Sequence, residues 1–160
     1  MGTQSIRSPY LRGLHERILA SCARAQTVTA GLDSEQLNWR PSADRWSIAQ
    51  CLEHMRLGAE EYNEKLRPAV AKAREKGLRA DANLSPRHTL MGRAIMRAVE
   101  PNAVRTMQSP KVFAPSHSQI SGDIVGDFVE SHEMVATLIA ECDGFNFVRI
   151  KLSSPVARLI

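Results

Sequence analysis

Apolar residues recur at three- and four-residue steps in three long stretches of the chain, which is the spacing that lines one side of a helix. In the first, residues 9–30, the stripe is Leu11, Leu14, Ile18, Cys22, Ala25 and Val28. Ser8 before Pro9 supplies an N-cap with proline at the first helical position, and Gly31 stands where a glycine closes a helix. The second stretch opens at Ser47, whose partner Gln50 three residues on completes a capping box, with Trp46 and Cys51 placed to form a hydrophobic staple. Its stripe is Ile48, Cys51, Leu52, Met55, Ala59, Tyr62 and Leu66, and Pro68 breaks the hydrogen-bond ladder, predicting a kink or an end there. The third, residues 116–140, carries Ile124, Val125, Phe128, Val129, Val135, Leu138 and Ile139 and is closed by Asp143-Gly144.

Between these stretches the pattern is weaker. Residues 32–46 hold Asp33, Ser34, Asn38, Pro41, Ser42 and Asp44 and read as mainly loop. Residues 90–99, between Pro86 and Pro101, predict a short helix; the run from Ser109-Pro110 to Ala114-Pro115 reads as extended chain. Residues 145–152 are a short segment with extended character. Ser153-Ser154-Pro155-Val156 is a further helix start, with five residues after Pro155. There is no internal repeat, no low-complexity tract and no β-hairpin pattern. The predicted fold class is all-α: a bundle of three long helices and the opening of a fourth.

Composition adds limits to this picture. At 160 residues and 43% apolar, the chain is the size of a single domain spanning 1–160, able to bury its own core without a staple. Only 5% of residues are aromatic, so that core is built from Leu, Ile, Val, Ala and Met. No apolar run approaches the roughly 18 residues of a membrane span, and MGTQSIRSPYLRG contains no signal-peptide core. Cys22, Cys51 and Cys142, odd in number and far apart, point to a reducing, cytoplasmic setting. Residues 65–111 carry eleven Lys or Arg against Glu75, Asp81 and Glu100, whereas residues 112–144 carry six Asp or Glu and no Lys or Arg. The basic stretch has no Phe, Tyr or Trp to stack on bases, which favours a solvated surface over a nucleic-acid partner.

The common phosphate-binding, protease and hydrolase motifs are absent, which leaves five histidines as the main chemistry. His132 falls inside the third apolar stripe and so faces the bundle interior, either as a buried imidazole satisfied by a carbonyl or carboxylate or as a metal ligand. His54 flanks the second stripe, with Glu61 two turns on along nearly the same face, and His15 holds a similar flank on the first helix. His88 and His117 fall in loops. Cys51 lies on a core stripe, where an apolar setting keeps a thiol inert. Glu60 with Glu61, and Glu130 with Glu133, mark wet faces. Trp39 and Trp46 flank a proline-containing loop and are placed to pack it down.

Leu37-Asn38-Trp39-Arg40-Pro41, followed by Asp44-Arg45-Trp46-Ser47-Ile48-Ala49-Gln50-Cys51-Leu52-Glu53-His54, resembles the DinB-like superfamily, in which a loop ends in W-[ST] and a helical histidine follows eight residues after the tryptophan. Lys111-Val112-Phe113-Ala114-Pro115 and Leu152-Ser153-Ser154-Pro155 resemble one branch of the same family. The resemblance implies an up-down-down-up four-helix bundle, often a homodimer, holding a divalent metal (zinc, nickel or iron) through three histidines. It also implies kinship with enzymes that use a small thiol, such as mycothiol- or bacillithiol-dependent transferases and maleylpyruvate isomerases. His54 matches the first metal histidine. The family's other two form an H-x3-H pair on the last helix, and this chain contains no such pair. A single imidazole does not make a tight site. The expectation is therefore a C-terminally incomplete member, its last helix largely missing, with metal held weakly or not at all at His54 unless His132, as the second ligand, or Glu61 substitutes or a second subunit contributes. The alternative is a non-catalytic bundle that self-associates or binds a partner through the face left uncovered.

Overall fold

The structure, a computed structural model, describes residues 5–79, 83–98, 100, 109, 111–115, 119–120, 122–150 and 152. Its helices are α1 (Pro9–Thr29), α2 (Ser34–Asn38), α3 (Ile48–Glu75), α4 (Leu90–Ala98) and α5 (Ile124–Glu141). Single 3-10 turns lie at Lys111–Phe113 and Phe147–Arg149. Among the described residues there is no strand, only one isolated bridge between Arg79 and Phe145. The all-α class read from the periodicity is the class observed. The helix start at Ser153 lies outside the described residues.

The predicted caps form as hydrogen bonds. Ser8 Oγ accepts from the Leu11 amide, Gly31 takes φ +78° just past α1, and Ser47 and Gln50 exchange the two bonds of the capping box, at 3.1 Å each. Three boundaries differ from the prediction. Asp33 and Gln36 form a second capping box, at 2.8 and 3.0 Å, and it organises α2 inside what reads as loop. Pro68 does not end α3, which runs 28 residues to Glu75 because Val70 and Ala73, beyond the proline, are buried. The third helix starts at Ile124 rather than residue 116: Gly122 turns the chain at φ +81° and Asp123 caps it by accepting from the Gly126 amide. Residues 116–118 and 121 of that prediction lie outside the described residues.

Helix directions follow from which ends share a core. One cluster joins Cys22 and Ala25 of α1 to Ala49 and Leu52 of α3 and to Ile124 and Phe128 of α5. The second joins Leu11, near the start of α1, to Val70 late in α3 and to Cys142 just past α5. The end of α1 therefore meets the starts of α3 and α5: one helix runs up and two run down. The parallel pair α3 and α5 needs a connection that climbs back along the bundle, and residues 76–123 provide it.

The buried face of α3 is rotated from the predicted one. Ile48, Cys51 and Met55 point outward, while Gln50, Glu53 and Asn63 lie inside with Ala49, Leu52 and Ala59. Hydrogen bonding makes those polar residues tolerable inside: Gln50 belongs to the capping box, Glu53 takes two bonds from Arg56 at 2.8 and 3.0 Å, and Asn63 donates to the Ser131 carbonyl at 2.9 Å. Val28 is likewise 55% exposed, with Thr29 buried in its place and bonded to the Ala25 carbonyl.

A clip at the far end joins the two ends of the described chain. The Asp143 carboxylate accepts from the Arg7 and Ser8 amides at 3.0 Å each and from Arg7 Nε at 3.2 Å. Partial burial pushes its pKa up, but those bonds and the Arg7 charge outweigh burial and hold it below the ordinary carboxylate value. A carboxyl with a depressed folded-state pKa adds stability above its unfolded value of about 3.9, and that stability is lost as pH falls through the folded-state value. Acid unfolding followed by circular dichroism should show wild type more stable than Asp143→Asn at pH 6, the gap closing below about pH 4. Pro68→Ala restores an amide inside α3, so its thermal midpoint should rise, by up to about 3 kcal/mol in stability.

Candidate functional site

The loop between α2 and α3 is held by its own polar residues. Asn38, buried at the end of α2, donates through Nδ2 to the Ile120 carbonyl at 2.9 Å and accepts through Oδ1 from the Ile120 amide at 2.8 Å. These reciprocal bonds tie the loop to the segment leading into α5. Arg40 donates to the Arg45 carbonyl at 2.7 Å and to the Ala43 carbonyl. Ser42 Oγ donates to Asp44 at 2.5 Å, and this hydroxyl, followed by the residue's own backbone, lowers the Asp44 pKa. Trp39 is 67% exposed and does not pack the loop down; hydrogen bonds do that work instead. The result is to deliver Trp46 to the start of α3.

Trp46 then lies obliquely against the His54 ring, 5.1 Å between centroids at 51°. On another side Phe113 meets His54 edge-on at 6.4 Å, and its carbonyl lies 2.8 Å from His54 Nδ1. Ser109 Oγ is 3.3 Å from the same nitrogen. A carbonyl only accepts, so Nδ1 carries the proton in that bond and Nε2 is the lone-pair nitrogen of the neutral ring. Phe113 is 59 residues from His54; the stretch around it carried a family resemblance, but nothing in the sequence tied it or Ser109 to that histidine.

His132 is placed differently. Its Nδ1 bonds the Phe128 carbonyl one turn back at 2.8 Å, Ser131 Oγ lies 3.2 Å away, and its ring packs on Phe128 with centroids 4.0 Å apart. Half-burial pushes its pKa down, more than the Phe128 carbonyl raises it. Its Nδ1 is tethered to a backbone carbonyl as that of His54 is, and no hydrogen bond or ring contact joins the two histidines. Glu61 is engaged by Lys65 one turn on. His15 is half-buried, His88 is exposed, and His117 lies outside the described residues. Cys51 is exposed rather than in the core, although local desolvation still raises its thiol pKa. Among the described residues, no group of three or more His, Cys, Asp or Glu could hold a metal ion. A catalytic zinc takes about three protein ligands, and among the described residues no such group converges around His54 or His132. By themselves they do not fit a metal centre.

The family model of the DinB superfamily matches residues 17–144, from the middle of α1 to the end of α5, and the chain belongs to that superfamily. No curated protein and no solved structure matches the chain. Among the described residues no helix is long and apolar enough to cross a membrane.

Burial that disfavours the charged imidazole gives His132 a stability contribution present at neutral pH and lost on acidification, as the unfolded chain takes up its proton first. Proton–nitrogen NMR titration should place the His132 midpoint below the ordinary 6.5; a midpoint at or above that value would contradict the burial seen here.

Proposed function

We propose that the chain works at His54 Nε2, as a DinB-superfamily protein acting on a small thiol or other small molecule in the manner of the thiol-using transferases and hydrolases it resembles. The observation that carries this reading is the double fixing of one imidazole: Nδ1 is tethered to the Phe113 carbonyl and the ring packs against both Trp46 and Phe113. Such tethering fixes the tautomer and aims the free nitrogen, as it does for imidazoles that act as bases or ligands. Zinc, nickel or iron would meet a single donor from the described residues here, and hence bind weakly. In titrations with zinc and nickel, weak binding should disappear in His54→Ala and persist in His132→Ala, whose ring makes no contact with His54 or with the Trp46 and Phe113 rings that flank it. Binding unchanged by His54→Ala would sink the reading.

The second reading, self-association without catalysis, is favoured by one feature. Ile48, Cys51 and Met55 form an outward apolar stripe along the first two turns of α3, beside the half-open Trp46. Such a stripe fits a partner surface, including that of a homodimer. A concentration-dependent dimer in wild type that Met55→Glu converts to monomer, together with no effect of His54→Ala on metal or substrate, would favour this reading over the first.

A further inference from the structure

We infer that the groove between α3 and α5 binds a linear organic amine with two or more protonated nitrogens. The groove encloses about 470 Å³ on the side of the parallel helix pair and is lined from both helices. Its charges do not balance. Arg56 is fully engaged, by Glu53 at 2.8 and 3.0 Å and by Glu60 at 2.5 Å. Glu64 of α3 and Asp127 and Glu130 of α5 line the same groove, and no ion pair engages them among the described residues. The remaining cation, Arg67, donates across to the Met134 sulfur at 2.9 Å, an acceptor too weak to hold it against a competing ammonium donor.

Asn63 supplies an independent observation. It lines the groove and is only 8% exposed. Its Nδ2 donates to the Ser131 carbonyl at 2.9 Å, which fixes the orientation of the amide, because only the NH2 group can donate there. That leaves Oδ1 buried with no hydrogen-bond donor. A buried acceptor without a donor is costly, and Arg67, one helical turn further along the same face, spans the groove beside it. That oxygen is covered in this structure, so a ligand N–H satisfies it only once Arg67 swings off Met134 and opens the groove beside it.

The ligand class follows from these features together. No three acidic, His or Cys side chains among the described residues converge on one point, so the carboxylates do not suit a single metal ion. Spread along two helices, they match positive charges strung along a flexible chain. The Asn63 oxygen requires an N–H, which primary and secondary ammonium groups have and quaternary ones lack.

Proton–nitrogen correlation spectra of the full chain, titrated with spermidine at 0.1 M salt, test this. Saturable shifts should centre on residues 60–67 and 127–134. Hexamethonium, doubly charged but without N–H, should bind at least tenfold more weakly, and magnesium alone should produce no saturable shift there. Glu64→Gln with Glu130→Gln, two exposed positions, should weaken spermidine at least tenfold without moving the thermal midpoint. Absence of saturable shifts at the groove, equal binding of hexamethonium, saturable magnesium binding there, or unchanged affinity in the double variant would each overturn the proposal. Because none of these readouts involves His54, failure here leaves the His54 reading untouched.

Discussion

The packing of α5 against both other long helices is the constraint on which the rest of the structure depends. Phe128 and Ile124 sit in the same cluster as residues from α1 and α3, and Phe128 is 2% exposed. In a chain so poor in aromatics, one buried ring among Ala25, Ala49 and Cys22 fills much of the space between helices. Burying such a side chain is worth about 1.5–3 kcal/mol. The small partners let the helices approach closely, and the rest of the architecture follows: α3 must turn its alanine side inward, and it must run parallel to α5.

That parallel arrangement has a chemical consequence. A long return between α3 and α5 is obligatory, and the return carries Phe113 back against α3, where its ring is buried and its carbonyl meets His54. The loop before α3 brings Trp46 to the other side, anchored by Asn38 to the same α5 lead-in. Two connections, one before α3 and one after it, thus converge on one imidazole. His132, on α5 itself, has no such converging segments and turns back to its own helix. The same parallel pair leaves a polar side between α3 and α5, where Asn63 reaches over to the Ser131 backbone.

Much of the fold was legible in the residues. Ser8-Pro9, Gly31 and the Ser47/Gln50 pair are local signals, because each cap is a bond between groups three residues apart or a backbone angle that glycine adopts freely. The Asp33/Gln36 box was equally local, but the density of turn-forming residues around it masked it. Pro68 misled because a missing hydrogen bond within α3 is outweighed by burial of Val70 and Ala73, which depends on partners some 70 residues away. The inward face of α3 misled for a related reason. Periodicity counts apolar residues and cannot know that Glu53 will be neutralised by Arg56, or Asn63 bonded by Ser131, and so be able to lie inside. For the site, the histidine at position 54 was identifiable from its motif, whereas its tether was not.

The residues alone were enough to specify three amphipathic helices, the caps of the first two, an all-α class and membership of the DinB superfamily, since each rests on short-range patterns or on motifs carried in order along the chain. Only the tertiary structure decided which face of α3 is buried, which distant carbonyl tethers His54, and where an amide oxygen is left without a donor. The His54 tether and the Asn63 bond join groups 59 and 68 residues apart in sequence, whereas the His132 bond stays within one helical turn. Whether a polar group can be buried, or a ring nitrogen left free, depends on what the chain brings to face it from far away.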